Sequence, residues 1–351
     1  MRATIKQIAE KTGLSVPTVS RILSDKGAAH QESTRERVLA AARELGYRPN
    51  SSARAMRRGR FDTITLLRSA TDAARSQLPA ELLAGIQEAL HRAEIRLSIA
   101  SLPDPQLTDP GFMPIILREW ASDGLLINYN AAIPNELIRL IAEYSIPAIW
   151  INSRHSADCI FPDDEAAAAD ATRHLITLGH RRIAYVDFQE SGHYSAAERR
   201  NGYEAAMAEA GLSPRKIVGQ YIPERLGTVP SEVDERFGGD WPTALLTYGA
   251  HTMRPILIAA LARGRRIPED LSVIDITAHN RETISVPVDS MVLPQLEIGR
   301  RAVEMLLDKI ADGRSFAPCP IPFGRSFGAT SGPPPERVSS VGGDDSSPDV
   351  A

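Results

Sequence analysis

The chain has 351 residues, of which 43% are hydrophobic and 24% are charged, a composition typical of a soluble globular protein with more than one folding unit. No run of residues approaches the ~20 apolar side chains that span a bilayer, so a membrane protein is excluded. Residues 1–60 hold 13 basic and 5 acidic side chains, a net of +8, whereas the remainder holds 27 and 39, a net of −12. A basic head on an acidic body predicts a polyanionic partner for the head, although a solvated basic face would have the same composition.

Residues 5–45 are predicted to form three short helices, because apolar side chains recur in them at helical spacing. Gly13 ends the first helix, and Ser15 is positioned to cap the second. The predicted inward-facing side chains are Ile5, Ile8, Ala9, Val16, Val19, Leu23, Val38, Ala42 and Leu45.

The spacing of Ala9, Gly13 and Val19 is that of a helix-turn-helix. A small side chain at Ala9 lets two helices cross closely, Gly13 adopts a positive φ without strain, and Val19 packs the second helix on the first. An ordinary helical hairpin is the alternative. The spacing, the polar outer face and the charge of +8 together favour a motif whose second helix enters the major groove of DNA.

The second helix is predicted to face DNA with Ser15, Val16, Pro17, Thr18, Ser20 and Arg21. Arg21 can donate two hydrogen bonds to a guanine edge. Ser15 and Thr18 can bond phosphates, which fixes the register but not the sequence. The apolar Val16 and Pro17 suit contact with a thymine methyl group.

From Asp62 onward, predicted strands alternate with predicted helices, which indicates an α/β fold with parallel sheets covered on both faces. A segment of about 265 residues is long enough for two such sheets, and therefore two lobes. The strands are predicted at 63–67, 96–100, 124–127, 148–151, 183–186, 244–247 and 272–276. The helices are predicted at 79–93, 135–144, 164–178, 196–210 and 252–263, with a loop at 223–240 and a disordered tail at 332–351.

Two cysteines, Cys159 and Cys319, lie far apart in the sequence, and the charged N-terminus lacks the apolar core of a signal peptide. We therefore expect reduced thiols and a cytoplasmic protein. The chain contains no GxSxG, P-loop or HExxH motif, so no enzyme activity, cofactor or metal is predicted. The acidic run at 163–165 is predicted to cap a helix.

Three segments, TIKQIAEKTGLSVPTVSRIL, TRERVLAAARELGYRPN and SSARAMRRGR, resemble the DNA-binding head of the lactose-repressor (LacI/GalR) family over residues 4–60. The body segments HLITLGHRRIAYV, RRNGYEAAMAEAGL, RIPEDLSV and GRRAVEMLLDKI resemble the same family more weakly. The resemblance implies a helix-turn-helix domain at 1–49, a hinge helix at 50–60 and a body at 61–331. That body would be an effector-binding and dimerisation domain of the two-lobed, periplasmic-binding-protein-like type, with two doubly wound parallel sheets.

The resemblance also implies a nucleoid-associated homodimer that binds palindromic double-stranded operator DNA and a small effector: a sugar, sugar acid or sugar phosphate. Met56 stands where the family usually has a leucine that wedges into the minor groove and kinks the duplex. Asn50, Ala53 and Arg54 would then lie beside that groove or its phosphates.

The resemblance places five effector-binding residues at the carboxyl ends of the body strands, where ligands of doubly wound sheets bind. These residues are Ser69, Asn152, Arg199, Tyr221 and His251. The chain departs from the family at 249–251, where Gly-Ala-His replaces an Asn-Asp pair, and at 275–278, where Asp-Ile-Thr-Ala replaces Gly-Phe-Asp-Asp. These losses favour an anionic ligand held by Arg199 and His251 over an ordinary sugar.

The leading hypothesis is a sequence-specific, effector-controlled transcription regulator that acts as a repressor. Two alternatives stay open: a cytoplasmic solute-binding protein with a basic head, and a regulator whose degenerate pocket binds no ligand.

Overall fold

The computed structural model describes residues 3–23, 30–49, 55, 58–70, 77–103, 114, 117, 121–129, 133–189, 192–222, 225–277 and 287–336. The chain divides into two compact units, which we call the head and the body. The head is Met1–Thr63 with Ala121–Asp123, and the body is Ile64–Trp120 with Gly124–Ala351.

The head contains three helices, α1 (Ile5–Thr12), α2 (Val16–Leu23) and α3 (Glu32–Glu44). Thr4 begins α1 with a capping box, and Gly13 ends it at φ 65°, as the helix-turn-helix spacing predicted. The buried side chains of the three helices form one cluster: Ile8, Ala9, Val19, Ile22, Val38, Ala41 and Ala42. The prediction was wrong for Val16, which is 44% exposed because it begins α2, and it missed Ile22.

Lobe 1 of the body is built on a six-stranded sheet in the order β11-β5-β4-β3-β1-β2. Neighbouring strands pair in parallel from β11 to β1, and buried aliphatic side chains line both faces. Its strands are β1 (Thr63–Ser69), β2 (Arg96–Leu102), β3 (Gly124–Asn128), β4 (Ala148–Ile151), β5 (Cys159–Pro162) and β11 (Cys319–Ile321). Its helices are α4 (Ala80–Arg92), α5 (Asn135–Glu143) and α10 (Gln295–Asp312).

Lobe 2 repeats the design with the order β12-β10-β9-β8-β6-β7, in which β12 alone runs antiparallel to its neighbour. Its strands are β6 (Ile183–Asp187), β7 (Arg215–Val218), β8 (Ala244–Thr247), β9 (Ser272–Thr277), β10 (Asp289–Val292) and β12 (Gly324–Ser326). Its helices are α6 (Asp164–Thr177), α7 (Tyr194–Glu209), α8 (Val229–Phe237) and α9 (Ala250–Ala262).

Helices α6 and α7 of lobe 2 cross in close contact at Gly202. A Cβ atom at this position would lie 2.0 Å from the carbonyl oxygen of Glu165, so only glycine allows the two backbones to approach this closely. This contact sets the first turn of α6 beside the middle of α7.

Within the described residues, the chain passes between the two lobes three times. These passages run from β5 to α6, from β10 to α10 and from β11 to β12. The same crossings bring the carboxyl ends of the strands of both lobes towards a common junction, the region in which α/β proteins bind ligands.

All seven predicted strands and all five predicted body helices are present, with ends that differ by no more than two residues. The loop prediction for 223–240 was wrong, because Val229, Val233 and Phe237 form the buried face of α8. The predicted boundary of a tail at residue 332 was also wrong, since the amide of Gly332 donates to Ser272 Oγ and its carbonyl accepts from His180. No helix in the described part of the chain is long and apolar enough to cross a membrane.

Candidate DNA-reading helix and effector cleft

The outer face of α2 presents the side chains that the sequence predicted to face DNA. Ser15, Val16, Pro17 and Arg21 are exposed, and Thr18 and Ser20 are half-buried. The Ser15 hydroxyl accepts from the Thr18 amide at 3.3 Å and lies 2.8 Å from the Thr18 hydroxyl, so it caps the helix as predicted. Contact of these six residues with DNA stays a prediction.

The predicted hinge is only partly described. Asn50, Ala53, Arg54 and Met56 lie outside the described residues, so their predicted contacts with the minor groove stay predictions. Close to them in the chain, Arg58 forms an ion pair with Asp62 at 3.7 Å.

A buried ion pair joins the first turn of α6 to the middle of α7. Arg199 donates from Nε to Oδ1 of Asp164 at 2.6 Å, with the Arg199 side chain 6% exposed and the Asp164 side chain 1% exposed. Burial by itself would lower the pKa of Arg199, but the Asp164 carboxylate outweighs it and holds that pKa above its usual value. Arg199 is therefore a permanently charged group whose counterion lies in the same lobe.

The second arm of Arg199 reaches the carboxyl ends of two strands of lobe 2. Its Nη1 donates to the carbonyl oxygen of Tyr248, just after β8, at 2.5 Å, and to that of Ile276 in β9 at 3.4 Å. The Tyr248 ring centroid lies 4.4 Å from the guanidinium carbon. The ring therefore covers one face of the cation.

A chain of hydrogen bonds continues from Tyr248 into lobe 1. The Tyr248 hydroxyl lies 2.8 Å from Ser195 Oγ, which lies 2.7 Å from Nδ1 of His193. Nε2 of His193 lies 3.4 Å from the carbonyl oxygen of Asn152, and burial lowers the pKa of this imidazole. The structure thus brings together two predicted effector residues, Asn152 and Arg199, through side chains that the sequence analysis did not select.

The loop after β4 makes further contacts between the lobes. The Tyr194 hydroxyl donates to Oδ1 of Asn152 at 2.9 Å, and Asn152 itself has a positive φ of 54°. Arg154 pairs with Glu198 through both arms of its guanidinium, with Nε to Oε1 at 2.7 Å. We call the contacts of Asn152 and Arg154 with Tyr194 and Glu198 the inter-lobe clamp.

Two buried carboxylates and one phenol around Arg199 keep unsatisfied oxygen atoms. Within the described residues, Oδ2 of Asp164, Oδ2 of Asp275 and the hydroxyl of Tyr185 have no hydrogen-bond partner. Burial raises the pKa of Asp275 to about 7, although a 2.6 Å hydrogen bond from the Thr247 hydroxyl and the nearby charge of Arg199 both lower it. Burial also raises the pKa of Tyr185 above its usual range.

The other three predicted effector residues lie in different parts of the body. Ser69 is buried at the end of β1, Tyr221 packs on Phe188 with ring centroids 5.0 Å apart, and His251 is exposed in the first turn of α9. A cavity of about 550 Å³ elsewhere in lobe 1 is lined by Trp150 and His155 among others, and by none of the five predicted effector residues.

Asp164 was not predicted as a partner of Arg199, because the acidic run 163–165 was interpreted as helix capping. Asp163 does cap α6, accepting from the Ala166 amide at 3.2 Å. Asp164 directly follows this capping residue, close to the end of the buried strand β5. Its position at a strand end is the feature of the sequence that could have marked it as a site residue.

The family model "Bacterial regulatory proteins, lacI family" matches residues 4–50, and "Periplasmic binding protein-like domain" matches residues 172–322. The chain is similar to the HTH-type transcriptional repressor PurR of Photobacterium profundum, at 28% identity over 88% of this chain and 92% of the relative. Its counterpart from Vibrio vulnificus is 29% identical over the same shares.

Two solved structures have a fold similar to that of this chain. The lac repressor dimer bound to operator and the anti-inducer ONPF has a TM-score of 0.74 at 20% identity, covering 95% of this chain and 100% of the other. The complex of the transcriptional regulator CelR with cellobiose has a TM-score of 0.62 at 22% identity, covering 94% and 100%. Together with the observed head and two-lobed body, the family matches show a DNA-binding head of the lacI family followed by a periplasmic-binding-protein-like body.

Proposed function

We propose that the chain represses transcription as a cytoplasmic, nucleoid-associated homodimer, each copy placing α2 in the major groove of one half of a palindromic operator. The observation that carries this proposal is the exposed face of α2, on which Arg21 and the capping pair Ser15 and Thr18 surround the apolar Val16 and Pro17. Basic and polar side chains on such a helix suit both phosphate contacts and base-edge recognition.

The second half of the proposal is that a carbohydrate-related effector between the lobes controls operator binding. The polar groups around Arg199 and Asn152 support this, because they meet at the carboxyl ends of strands and connect the two lobes. A ligand that prefers one arrangement of the lobes shifts the population towards it, and this shift is how such a ligand would act on the head.

The test is a gel-shift titration of the full chain on DNA from upstream of its own gene, with a scrambled duplex of equal length and composition as competitor. We expect binding to the upstream DNA to persist at ~200 mM salt while binding to the scrambled duplex is lost, because purely phosphate-driven binding weakens steeply with salt.

Equal loss on both duplexes would contradict the proposal and favour the alternative of a solute-binding protein with a basic head. Effector control is tested separately, by adding neutral sugars, uronates and sugar phosphates to the same titration. If every added ligand left a selective operator complex unchanged, DNA recognition would stand, and the alternative of a ligand-free pocket would replace effector control.

A further inference from the structure

The charge of Arg199 is already balanced inside lobe 2. Asp164 Oδ1 lies 2.6 Å from Arg199 Nε, and both side chains are almost completely removed from water. At this distance and depth the interaction of the two charges is strong, and separating a buried pair is costly because each charge would be left without a partner. An incoming anion therefore meets a neutral pair rather than a free cation.

The geometry around the pair also limits access to the cation. Two strand-end carbonyl oxygens accept from Nη1, and the Tyr248 ring lies over one face of the guanidinium. Three fully buried oxygens near the pair, Asp164 Oδ2, Asp275 Oδ2 and the Tyr185 hydroxyl, have no hydrogen-bond partner within the described residues. A carboxylate oxygen such as Asp164 Oδ2 attracts hydrogen-bond donors and repels anions.

His251, the other residue that the sequence predicted to hold an anion, does not alter this charge balance. It is exposed in the first turn of α9, whereas Arg199 and Asp164 are buried. Any attraction between this exposed side chain and an anion would also be screened by water and salt.

We propose that Asp164 determines the charge specificity of the effector cleft: by neutralising Arg199 it excludes sugar acids, sugar phosphates and other anions, and it leaves a site for an uncharged ligand that supplies hydroxyl or N–H donors. This inference rests on the proposed effector site, and it replaces the anionic ligand that the sequence favoured. Removal of the Asp164 charge should convert the site into an anion site built on Arg199.

The test uses inorganic phosphate as the probe and the full chain, with ionic strength held constant by exchange against sodium chloride. Thermal unfolding is recorded from 0 to 50 mM phosphate for the wild type, Asp164→Asn and Asp289→Asn. The last variant is the matched control, because it removes a buried carboxylate of lobe 2 that accepts from the amides of Gly328, Thr330 and Ser331 and is not part of the group around Arg199. Asn at position 164 keeps the shape and one oxygen acceptor for Arg199.

We expect phosphate to raise the Tm of Asp164→Asn by roughly 2 °C or more and to leave the wild type and Asp289→Asn unchanged. The double variant Asp164→Asn with Arg199→Gln should lose the response. A wild type stabilised as much as Asp164→Asn, or an Asp164→Asn protein that folds and gives no response, would overturn the proposal.

A second measurement does not depend on the folding of Asp164→Asn. In the wild type, glucuronate or glucose 6-phosphate should raise the Tm no more than phosphate does; a clear stabilisation by either would overturn anion exclusion. Since neither measurement involves DNA, these results are separable from the operator titration, whose failure would instead overturn the proposed function.

Discussion

The hydroxyl of Tyr194 in lobe 2 donates to Oδ1 of Asn152 in lobe 1 at 2.9 Å. This bond, together with the Arg154–Glu198 pair, means that the loop after β4 is bonded to the opposite lobe. A residue that the sequence assigned to the effector thus also holds the two lobes together, and any ligand that reaches Asn152 competes with Tyr194 for its side chain.

The inter-lobe clamp predicts a measurable effect of Tyr194→Phe. Removal of this hydroxyl leaves Asn152 Oδ1 without its donor, so we expect the free energy of unfolding to fall by about 1 kcal/mol and the affinity for operator to change. Urea denaturation and a gel-shift titration measure the two effects. Tyr144→Phe is the matched control, since that side chain is 54% exposed; equal effects of the two changes would contradict the role of the clamp.

Arg21→Ala should relax the choice of operator. Loss of a bidentate contact with a guanine costs about 1–3 kcal/mol against the correct base pair, and binding to scrambled DNA should change much less. The control Arg43→Ala removes the same charge from an exposed position on α3 and should weaken binding to both duplexes slightly. Unchanged discrimination in Arg21→Ala would remove this residue from the base-reading set.

Met56→Gly tests the predicted wedge of the hinge. An apolar side chain inserted between base steps stabilises only the kinked, specific complex. We therefore expect specific binding to weaken more than non-specific binding in competition titrations at equal salt. If both affinities fell by the same factor, the residue would not act as a wedge.

Asp275 predicts a pH dependence of stability. Its pKa is raised by burial from 3.8 to about 7, so the folded state binds more protons than the unfolded chain between about pH 4 and 7. Protonation of Asp275 adds on the order of 4 kcal/mol to the free energy of unfolding below pH 4. This contribution is lost as the pH rises through 7.

Asp275→Asn cannot titrate and should lack this loss. The stability of the wild type relative to Asp275→Asn, from urea denaturation at pH 5, 6, 7 and 8, should therefore decrease steadily up to about pH 7. A difference that stays constant across this range would mean that the carboxyl group titrates normally.

Gly202→Ala should separate α6 from α7. The added Cβ would lie 2.0 Å from the carbonyl oxygen of Glu165, so we expect a loss of about 2 kcal/mol, even though alanine favours a helix. Gly227→Ala is the control, because nothing lies within 4 Å of its Cβ position. Thermal unfolding compares the two variants, and a Gly202→Ala protein as stable as the control would contradict the close crossing.

Most of the architecture could be predicted from the sequence, because the spacing of hydrophobic residues and the positions of turn-forming residues depend on local structure. The strands 148–151 and 244–247 were predicted to the residue, as four consecutive buried apolar or small side chains identify a central strand. Helix α8 was missed because Pro230 and Gly238 at its two ends are typical of loops, and they concealed the spacing of its apolar residues. The edge strands β11 and β12 were missed because each is only three residues long.

The candidate cleft was only partly predictable. The resemblance selected Arg199 and Asn152, which the structure brings to one polar junction, and their contact with an effector stays a prediction. A partner 35 positions away, such as Asp164, is set by the crossing of two helices. Neither periodicity nor a motif encodes that contact. Arg199 could therefore be selected from the sequence, whereas its neutralisation by Asp164 is seen only in the structure.

The three passages of the chain between the lobes make each lobe discontinuous in sequence. Lobe 1 takes β1 to β5 from one stretch, then α10 and β11 from another more than 100 residues later, while β12 is an edge strand of lobe 2. A ribosome must therefore synthesise nearly the whole body before either sheet has its last strand. Neither lobe can be produced as an uninterrupted fragment, and a gene truncated before codon 319 would leave both sheets with an exposed, unpaired edge.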